Sequence, residues 1–359
     1  MDEASKFPPF FPKNPAENPV YHPRTRIWFG KMPMTDAITI RGVTKRFREK
    51  VAVKDLDLTV PQGSVCGFLG PNGAGKTTTI RMVMSIFYPD EGQISVLGKK
   101  SAIESKDLIG YLPEERGVYR KMKVGAFLRY IAKLKGVSGS HLDERIKDWL
   151  DRVELPDVQN MKCEELSKGM QQKVQFLATI IHDPELIILD EPFSGLDPVN
   201  VRLVRGLIEN MHNAGKTIIF STHVLHQAEL LCDRVFMINN GEKILDGPMD
   251  EIRERFNPRT VVVEPVTTDP ALGSTLEALT GVDRVSPRAE NSGGFDLHLA
   301  DDADVNGVMS RALESAPMRR VELRRATLED IFVSLVDLGD SEDTVRAELS
   351  GAASVGAAV

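Results

Sequence analysis

Hydrophobic and polar positions follow two rhythms along the chain. Short apolar runs bounded by glycine or charged residues predict strands at AITIRGV, VKDLDLTV, SVCGFLG, LIILD and TIIFST. Apolar residues at three- and four-residue spacing predict helices, among them VGAFLRYIAKLKG and SHLDERIKDWLDRV, with Ser140 as a candidate N-cap of the second. Alternating strands and helices predict an α/β fold with a largely parallel sheet, in which residues 118–165 form a helical insertion.

A different succession of elements begins after Asn257-Pro258. It consists of TVVVE, a helix at 269–279, VDRVSP, FDLHLA, a helix near 304–315, and MRRVELRRA. This order predicts a small α+β domain of the split-βαβ type over 258–338. TLEDIFVSLV closes the domain as a helix, with Thr327 as its N-cap and Asp330 as the acidic partner of the cap. A flexible tail is expected over 339–359.

The first 33 residues have little periodicity and many prolines. This composition predicts a disordered, extended arm. Met34 opens the first patterned segment, so the native chain begins either at Met1 or at Met34.

Composition narrows the functional classes. The 359 residues are 42% hydrophobic and 27% charged, which is typical of a globular protein of about two domains. A net charge of −7 argues against a broad basic surface, so no nucleic-acid partner is expected. The three widely spaced cysteines predict free, buried or half-buried thiols in a reducing compartment. No run approaches the roughly 18 apolar residues needed to cross a bilayer, so work at a membrane would require a partner.

GPNGAGKT, residues 70–77, matches the phosphate-binding pattern G-x-x-x-x-G-K-[ST] and lies between a predicted strand and a predicted helix, as that pattern requires. Its glycines allow backbone N–H groups to turn toward phosphates. Lys76 would reach the β- and γ-phosphate oxygens, and the Thr77 hydroxyl would bind Mg²⁺. The loop residues expected to contact the nucleotide are Gly70, Pro71, Asn72, Gly73, Ala74, Gly75, Lys76, Thr77 and Thr78.

Two further segments carry candidate chemistry. LIILDEP ends an apolar strand in Asp190, which would hold Mg²⁺, followed by Glu191, which would take a proton from an attacking water. LSKGMQQK, residues 166–173, begins a predicted helix. Free N–H groups and the helix dipole at such an end favour an anion.

GPNGAGKT, LSKGM, LIILDEP, SGLD and FSTH together resemble the ordered motif set of the ATP-binding-cassette (ABC) ATPases, over about residues 37–257. The resemblance implies an ATPase that uses ATP and Mg²⁺. It also implies a domain over 34–257 with a RecA-like core, a β-subdomain and a helical subdomain at about 115–180.

The same resemblance implies roles for single residues. Ser167 and Gly169, in the signature motif, would contact ATP held by a second nucleotide-binding domain, in a homodimer or with a related partner. Asp197 would bridge the two protomers. The remaining roles are adenine stacking by Phe47, metal binding by Glu114, and contact of His223 with the γ-phosphate and the lytic water. His141, His182, His212 and His226 match no motif and are expected at the surface.

Departures from the usual family pattern refine the expectation. Lys168 and Met170 replace a glycine and the glutamine of LSGGQ, and Glu114 replaces the usual Q-loop glutamine. LPEERG, LSKGMQQK and TLEDIF resemble exporter ATPases of the sodium- or drug-efflux type. The expected protein is therefore a cytoplasmic subunit, peripheral on the inner face of the membrane, that drives a separate multi-span subunit through the segment at about 115–135. The alternatives are a soluble ABC ATPase of DNA repair or translation, and a non-catalytic regulatory domain.

Overall fold

The computed structural model describes residues 36–115, 117–267, 269–288 and 293–337. The predicted arm over 1–33 and tail over 339–359 lie outside these residues. The strands are β1 Asp36–Phe47, β2 Lys50–Pro61, β3 Val65–Leu69, β4 Glu91–Val96, β5 Ile109–Leu112, β6 Leu186–Asp190, β7 Thr217–Thr222, β8 Arg234–Asn239, β9 Glu242–Pro248, β10 Thr260–Pro265, β11 Val282–Pro287, β12 Phe295–Leu299 and β13 Met318–Leu323. The helices are α1 Lys76–Val83, α2 Val124–Leu134, α3 Leu142–Arg152, α4 Lys168–Ile180, α5 Pro198–Asn213, α6 Leu225–Leu231, α7 Met249–Arg255, α8 Leu272–Glu277, α9 Val305–Ser315 and α10 Leu328–Asp337.

A three-stranded antiparallel sheet, in the order β2-β1-β4, contains the first two predicted strands. In β2 the buried residues Leu56, Leu58 and Val60 alternate with exposed polar residues. One-sided burial of this kind is typical of antiparallel sheets. A separate sheet containing both segments agrees with the β-subdomain that the resemblance implies. They form a separate sheet because their alternate polar residues could not be buried on both faces.

A six-stranded sheet, in the order β5-β6-β7-β3-β8-β9, forms the centre of the ATPase-like part of the chain. The pairs β5–β6, β6–β7, β7–β3 and β3–β8 are parallel, and every residue of β3, β6 and β7 is buried. Leu69 pairs with Thr222, and Asp190 pairs with Ser221. The carboxyl ends of β3, β6 and β7 therefore lie at one edge, which is where open α/β sheets bind ligands.

The predicted helical insertion is present as α2 and α3, followed by α4. Both insertion helices bury one apolar stripe, which includes Phe127 and Leu128 in α2 and Ile146 in α3. The expected cap of α3 at Ser140 is wrong. The helix begins at Leu142 with His141 in the N-cap position, and no side chain caps it. The acidic residues Asp143 and Glu144 in the first turn stabilise this end of the helix instead, because their charges interact favourably with the helix dipole.

Backbone contacts divide the chain into two units between Asp246 and Gly247. They group α7 with the second unit, whereas the sequence-based boundary at 257 leaves it with the first. Asn257-Pro258, which suggested that boundary, follows the end of α7 rather than the end of a sheet strand.

The second unit has the predicted β-α-β-β-α-β succession. Its antiparallel sheet has the order β11-β12-β10-β13. Valines and leucines of the sheet pack with leucines of α8 and with α9 around a separate core. The predicted cap of α10 is confirmed, because the Thr327 hydroxyl accepts from Asp330 N at 3.1 Å and the Asp330 carboxylate accepts from Thr327 N at 3.0 Å.

None of the helices within the described ranges is long and apolar enough to span a bilayer.

Candidate functional site

The loop between β3 and α1 is shaped by glycine. Gly70, Gly73 and Gly75 have φ angles of 149°, 82° and 112°, in the region that glycine adopts readily. A Cβ on Gly70 would lie 2.1 Å from the Ile238 carbonyl oxygen, and one on Gly75 would lie 2.6 Å from the Ala52 oxygen, whereas Gly73 has open space. The outer glycines thus allow close backbone packing, and the central one leaves the loop open toward the cleft.

Lys76 begins α1 and turns its side chain toward the loop that precedes it. Nζ donates to the Gly70 oxygen at 2.7 Å and to the Pro71 oxygen at 3.1 Å. It also lies 3.8 Å from Glu191 Oε1. Burial lowers the pKa of Lys76, and the carboxylates of Glu191 and Asp190 oppose that shift. The result is a desolvated cation at the loop, suited to a phosphate ligand.

Acidic and hydroxyl groups meet at the carboxyl ends of the parallel strands β3, β6 and β7. The Thr77 hydroxyl lies 3.4 Å from Asp190 Oδ1, and the Ser221 hydroxyl donates to the same oxygen at 2.5 Å. Next along the chain, Glu191 Oε1 lies 2.9 Å from His223 Nδ1. A carboxylate beside an imidazole can accept a proton from water while the imidazole holds its orientation.

A cleft of about 360 Å³ contains most of the predicted nucleotide-binding residues. It is lined by Phe47, Lys50, Ala52, Asn72, Gly73, Gly75, Lys76, Thr77, Thr78, Glu114 and Glu191. Phe47 is 42% exposed and packs edge-on against Phe87 with ring centroids 5.5 Å apart, so part of its ring is free to stack with a base.

The oxygen-rich part of this site fits Mg²⁺. Asp190 Oδ2 is buried and has no hydrogen-bond partner, which is the expected condition of an oxygen that binds a cation. Within the described ranges, no three His, Cys, Asp or Glu side chains cluster as a metal site. Mg²⁺ commonly uses one or two carboxylates together with substrate phosphates. The residues present that could hold it are Thr77, Asp190 and Glu114.

The signature segment lies at the N-terminus of α4. The exposed Ser167 is the N-cap, and its hydroxyl accepts from Met170 N at 3.3 Å. A Cβ on Gly169 would meet no atom nearer than Asn200 Nδ2 at 3.7 Å. Neither residue is among those that line the cleft with Lys76 and Glu191.

Comparisons with known proteins agree with this geometry. The ABC transporter family model matches residues 53–194, and the model of the C-terminal domain of DrrA1-3-like ATP-binding proteins matches residues 247–336. The ABC transporter ATP-binding protein YhaQ of Bacillus subtilis is 38% identical over 299 residues, which cover 83% of this chain and 98% of YhaQ. The chain belongs to the ABC transporter ATP-binding proteins.

Other matches support the same family and fold. The Nod factor export ATP-binding protein I of Cupriavidus pinatubonensis is 31% identical over 306 residues, covering 84% of this chain and 91% of that protein. A solved structure of an ATP-binding subunit of an ABC transporter aligns with a TM-score of 0.58 and 29% identity, over 61% of this chain and 93% of the other. This ABC ATPase therefore binds ATP and hydrolyses it to drive transport.

The structure also shows roles that the sequence did not indicate. In this ABC ATPase, Asp197 is the N-cap of α5 and accepts from Val199 N and Asn200 N, each at 3.0 Å. Ser221 is fully buried and contacts both acids at the end of β6. In the FSTH segment only the histidine matches a family motif, and no spacing in the sequence pairs Ser221 with Asp190.

The expectation that the unassigned histidines lie at the surface is wrong for His182. This residue is 7% exposed, and its Nε2 lies 3.1 Å from the Ile109 oxygen. Burial lowers its pKa to about 4, so the ring is neutral at pH 7. His182 follows α4 in the chain, where packing against β5 rather than local polarity decides its exposure. The prediction of buried thiols is confirmed, since Cys66, Cys163 and Cys232 are free and buried.

Proposed function

We propose that the chain works as a head-to-tail dimer that closes on two Mg·ATP and drives a separate multi-span membrane subunit in export. One observation supports the proposed dimer. The N-terminus of the 13-residue helix α4, with Ser167 and Gly169, lies outside the cleft that contains Lys76 and Glu191. Helix N-termini of this kind bind anions. A second copy would supply the phosphate to which these donors bind.

The residues at the cleft have distinct roles in the proposed hydrolysis. Glu191 takes the proton from the attacking water, and His223 holds its carboxylate in position through the 2.9 Å contact. Lys76, together with Ser167 of the second copy, stabilises charge on the γ-phosphoryl group. Mg²⁺, when bound by Thr77, Asp190 and Glu114, would neutralise charge on the phosphate oxygens. Phe47 stacks on the adenine ring.

The segment after Glu114 is proposed to transmit closure to the membrane subunit. Gln175 of α4 donates to the Glu115 oxygen at 3.2 Å, so the signature helix is tied to the start of this segment. Tyr119 is 52% exposed and packs edge-on against Phe127 and Tyr130. Phe127 is buried, whereas Tyr119 and Tyr130 both have exposed rings, and exposed aromatic rings of this kind suit a protein contact. The similarity to a Nod factor export ATP-binding protein supports an exporter.

A mixing experiment tests the shared active site. Lys76→Ala removes the phosphate-binding cation, and Gly169→Asp places a carboxylate beside the proposed γ-phosphate contact. Each pure variant is expected to be nearly inactive. In a head-to-tail dimer, a mixed pair contains one intact site. Its phosphate loop comes from the Gly169→Asp copy, and its signature motif comes from the Lys76→Ala copy. Since half of randomly formed dimers are mixed, the equimolar mixture should recover roughly one quarter of the wild-type phosphate-release rate, given independent sites.

The matched control is Gly206→Asp, which introduces the same carboxylate at another helical glycine with open space around it. It should retain the wild-type rate. If the mixture of Lys76→Ala and Gly169→Asp releases phosphate no faster than the average of the two pure variants, the shared site is rejected.

Affinity purification tests the membrane partner. The tagged chain, isolated from detergent-solubilised membranes of its native cell, is expected to carry a multi-span membrane protein at near-equal amount. The same tag on the second unit alone, residues 247–359, serves as the control. Recovery with ribosomes or DNA in place of a membrane protein would contradict the transport assignment and favour a repair or translation ATPase.

A further inference from the structure

Ser221 contacts both Asp190, the last residue of β6, and Glu191, which follows it. Its side chain is 0% exposed, near the carboxyl end of β7. The hydroxyl donates to Asp190 Oδ1 at 2.5 Å, and its oxygen accepts from Glu191 N at 3.0 Å. One side chain thus links the metal-binding candidate and the candidate base.

The direction of both hydrogen bonds follows from the chemistry of the groups. A backbone N–H can only donate, so the Ser221 oxygen must accept from Glu191. The single hydroxyl proton is then available for Asp190, whose ionised carboxylate can only accept. These two contacts use the single hydroxyl proton of Ser221 and one of its two lone pairs, and neither neighbour can exchange its role.

The hydrogen bond from Ser221 to Asp190 determines the orientation of the two Asp190 carboxylate oxygens. Oδ1 is occupied by Ser221, and the Thr77 hydroxyl lies 3.4 Å from the same atom. Oδ2 is buried without a hydrogen-bond partner. A hydrogen bond to one oxygen of a carboxylate restricts its rotation, which leaves the other oxygen in a defined direction.

The hydrogen bond from Glu191 N to Ser221 stabilises an unusual backbone conformation at Glu191. Glu191 has a φ angle of 50°, in the left-handed region that is uncommon for residues other than glycine. Its N–H is tied to Ser221, and its carboxylate reaches His223 Nδ1 at 2.9 Å. The turn that directs Glu191 toward His223 therefore depends on a hydrogen bond from the neighbouring strand.

We propose that Ser221 is a positioning residue, which orients Asp190 Oδ2 toward Mg²⁺ and fixes the backbone turn at Glu191. This inference rests on the proposed role of Asp190 in the function above. A purely structural serine would stabilise the fold without any preference for the metal-bound state. The two roles therefore differ in how its replacement changes Mg²⁺ dependence.

The test measures binding of a fluorescent ATP analogue to the full chain, once in EDTA and once in a Mg²⁺ titration. For Ser221→Ala we expect the affinity in EDTA to stay within about two-fold of wild type, because no phosphate contact is removed. The Mg²⁺ concentration that gives the half-maximal metal-dependent signal should rise roughly 10- to 100-fold, as is usual when a hydrogen-bond partner of a metal ligand is lost.

Two variants control for loss of structure. Thr217→Val removes another buried hydroxyl, at the opposite end of β7, which accepts from Gly63 N at 2.9 Å. Its Mg²⁺ midpoint should equal that of wild type. Ser221→Cys keeps the size of the side chain with a weaker donor and should show an intermediate midpoint. If Ser221→Ala does not fold, the cysteine variant decides the question by the same measurement.

An unchanged Mg²⁺ midpoint in the Ser221 variants would overturn the inference. An equal loss of affinity with and without Mg²⁺ would also overturn it, because it would indicate a general structural defect. Asp190→Asn separates this failure from failure of the proposed function. If Asp190→Asn shifts the midpoint and Ser221→Ala does not, only the role of Ser221 is rejected. If neither shifts it, the assignment of Asp190 to Mg²⁺ fails as well.

Discussion

Replacing Glu191 with glutamine is expected to lower ATP turnover on the order of 100-fold or more and to leave ATP binding intact. An amide cannot accept a proton from water, so the substitution removes the base. The shape of the side chain is kept, and its carbonyl oxygen can still contact His223 Nδ1, which lies 2.9 Å from Glu191 Oε1. The backbone N–H that Ser221 holds is also unchanged. The loss should therefore appear in kcat rather than in the affinity for ATP.

Single-turnover phosphate release and equilibrium binding of ATP measure the two effects separately. Glu209→Gln, the same change at an exposed position of α5, provides the matched control and should retain full turnover. Turnover of Glu191→Gln close to the wild-type rate would show that another group activates the water. His223 and Glu114 would then be the next bases to replace.

Lys76→Ala is expected to weaken ATP binding or turnover by roughly 10- to 100-fold, because a charge-assisted hydrogen bond contributes about 1.5–3 kcal/mol. The lysine donates to the Gly70 and Pro71 oxygens, so alanine also removes two contacts within the loop. Lys76→Met keeps most of the buried side-chain volume without the charge. A similar loss in both variants would assign the effect to the ammonium group.

The Lys76→Met substitution should change the thermal stability of the ATP-bound protein but not that of the free protein. The pKa of Lys76 is lowered by burial despite the nearby Glu191 and Asp190, so its charged form is disfavoured in the folded chain relative to the unfolded one. Between the lowered pKa of the folded chain and 10.5, the unfolded chain binds more protons at Lys76 than the folded chain does. The contribution of Lys76 to the free energy of unfolding therefore rises with pH in this window. We expect Lys76→Met to preserve Tm without nucleotide and to lose most of the ATP-induced rise in Tm. Unchanged ATPase kinetics and an unchanged ATP-induced shift would reject the role of Lys76.

The elements with the strongest local patterns were predicted correctly. The runs LIILD and TIIFST correspond to β6 and β7, because central parallel strands are buried on both faces and therefore consist of continuous apolar residues. GPNGAGKT indicated the loop and the start of α1 at Lys76, since its glycines are required by the local backbone. The cap at Thr327 was also predictable, because both partners lie within one helical turn.

The failures concern features that neighbouring residues alone do not determine. Ser140 has a suitable side chain for a cap, but the chain enters α3 at His141 through a turn that the sequence did not indicate. His182 is followed by Asp183 in sequence, yet its ring is buried against the backbone of β5. The β-subdomain that the resemblance implied is present, but only the structure shows that its sheet pairs β1 with β2 and β4.

Local sequence was sufficient for the phosphate loop, the acidic pair at the end of β6 and the order of elements in the C-terminal unit. These features depend on neighbouring residues, whose spacing is visible in the chain. The motifs already implied that Thr77 and Asp190 lie close together, but the contact of Ser221 with Asp190 was decided only by the parallel pairing of β6 with β7. Hydrogen bonds between strands so far apart in sequence have no local signature, because sheet order and register determine them.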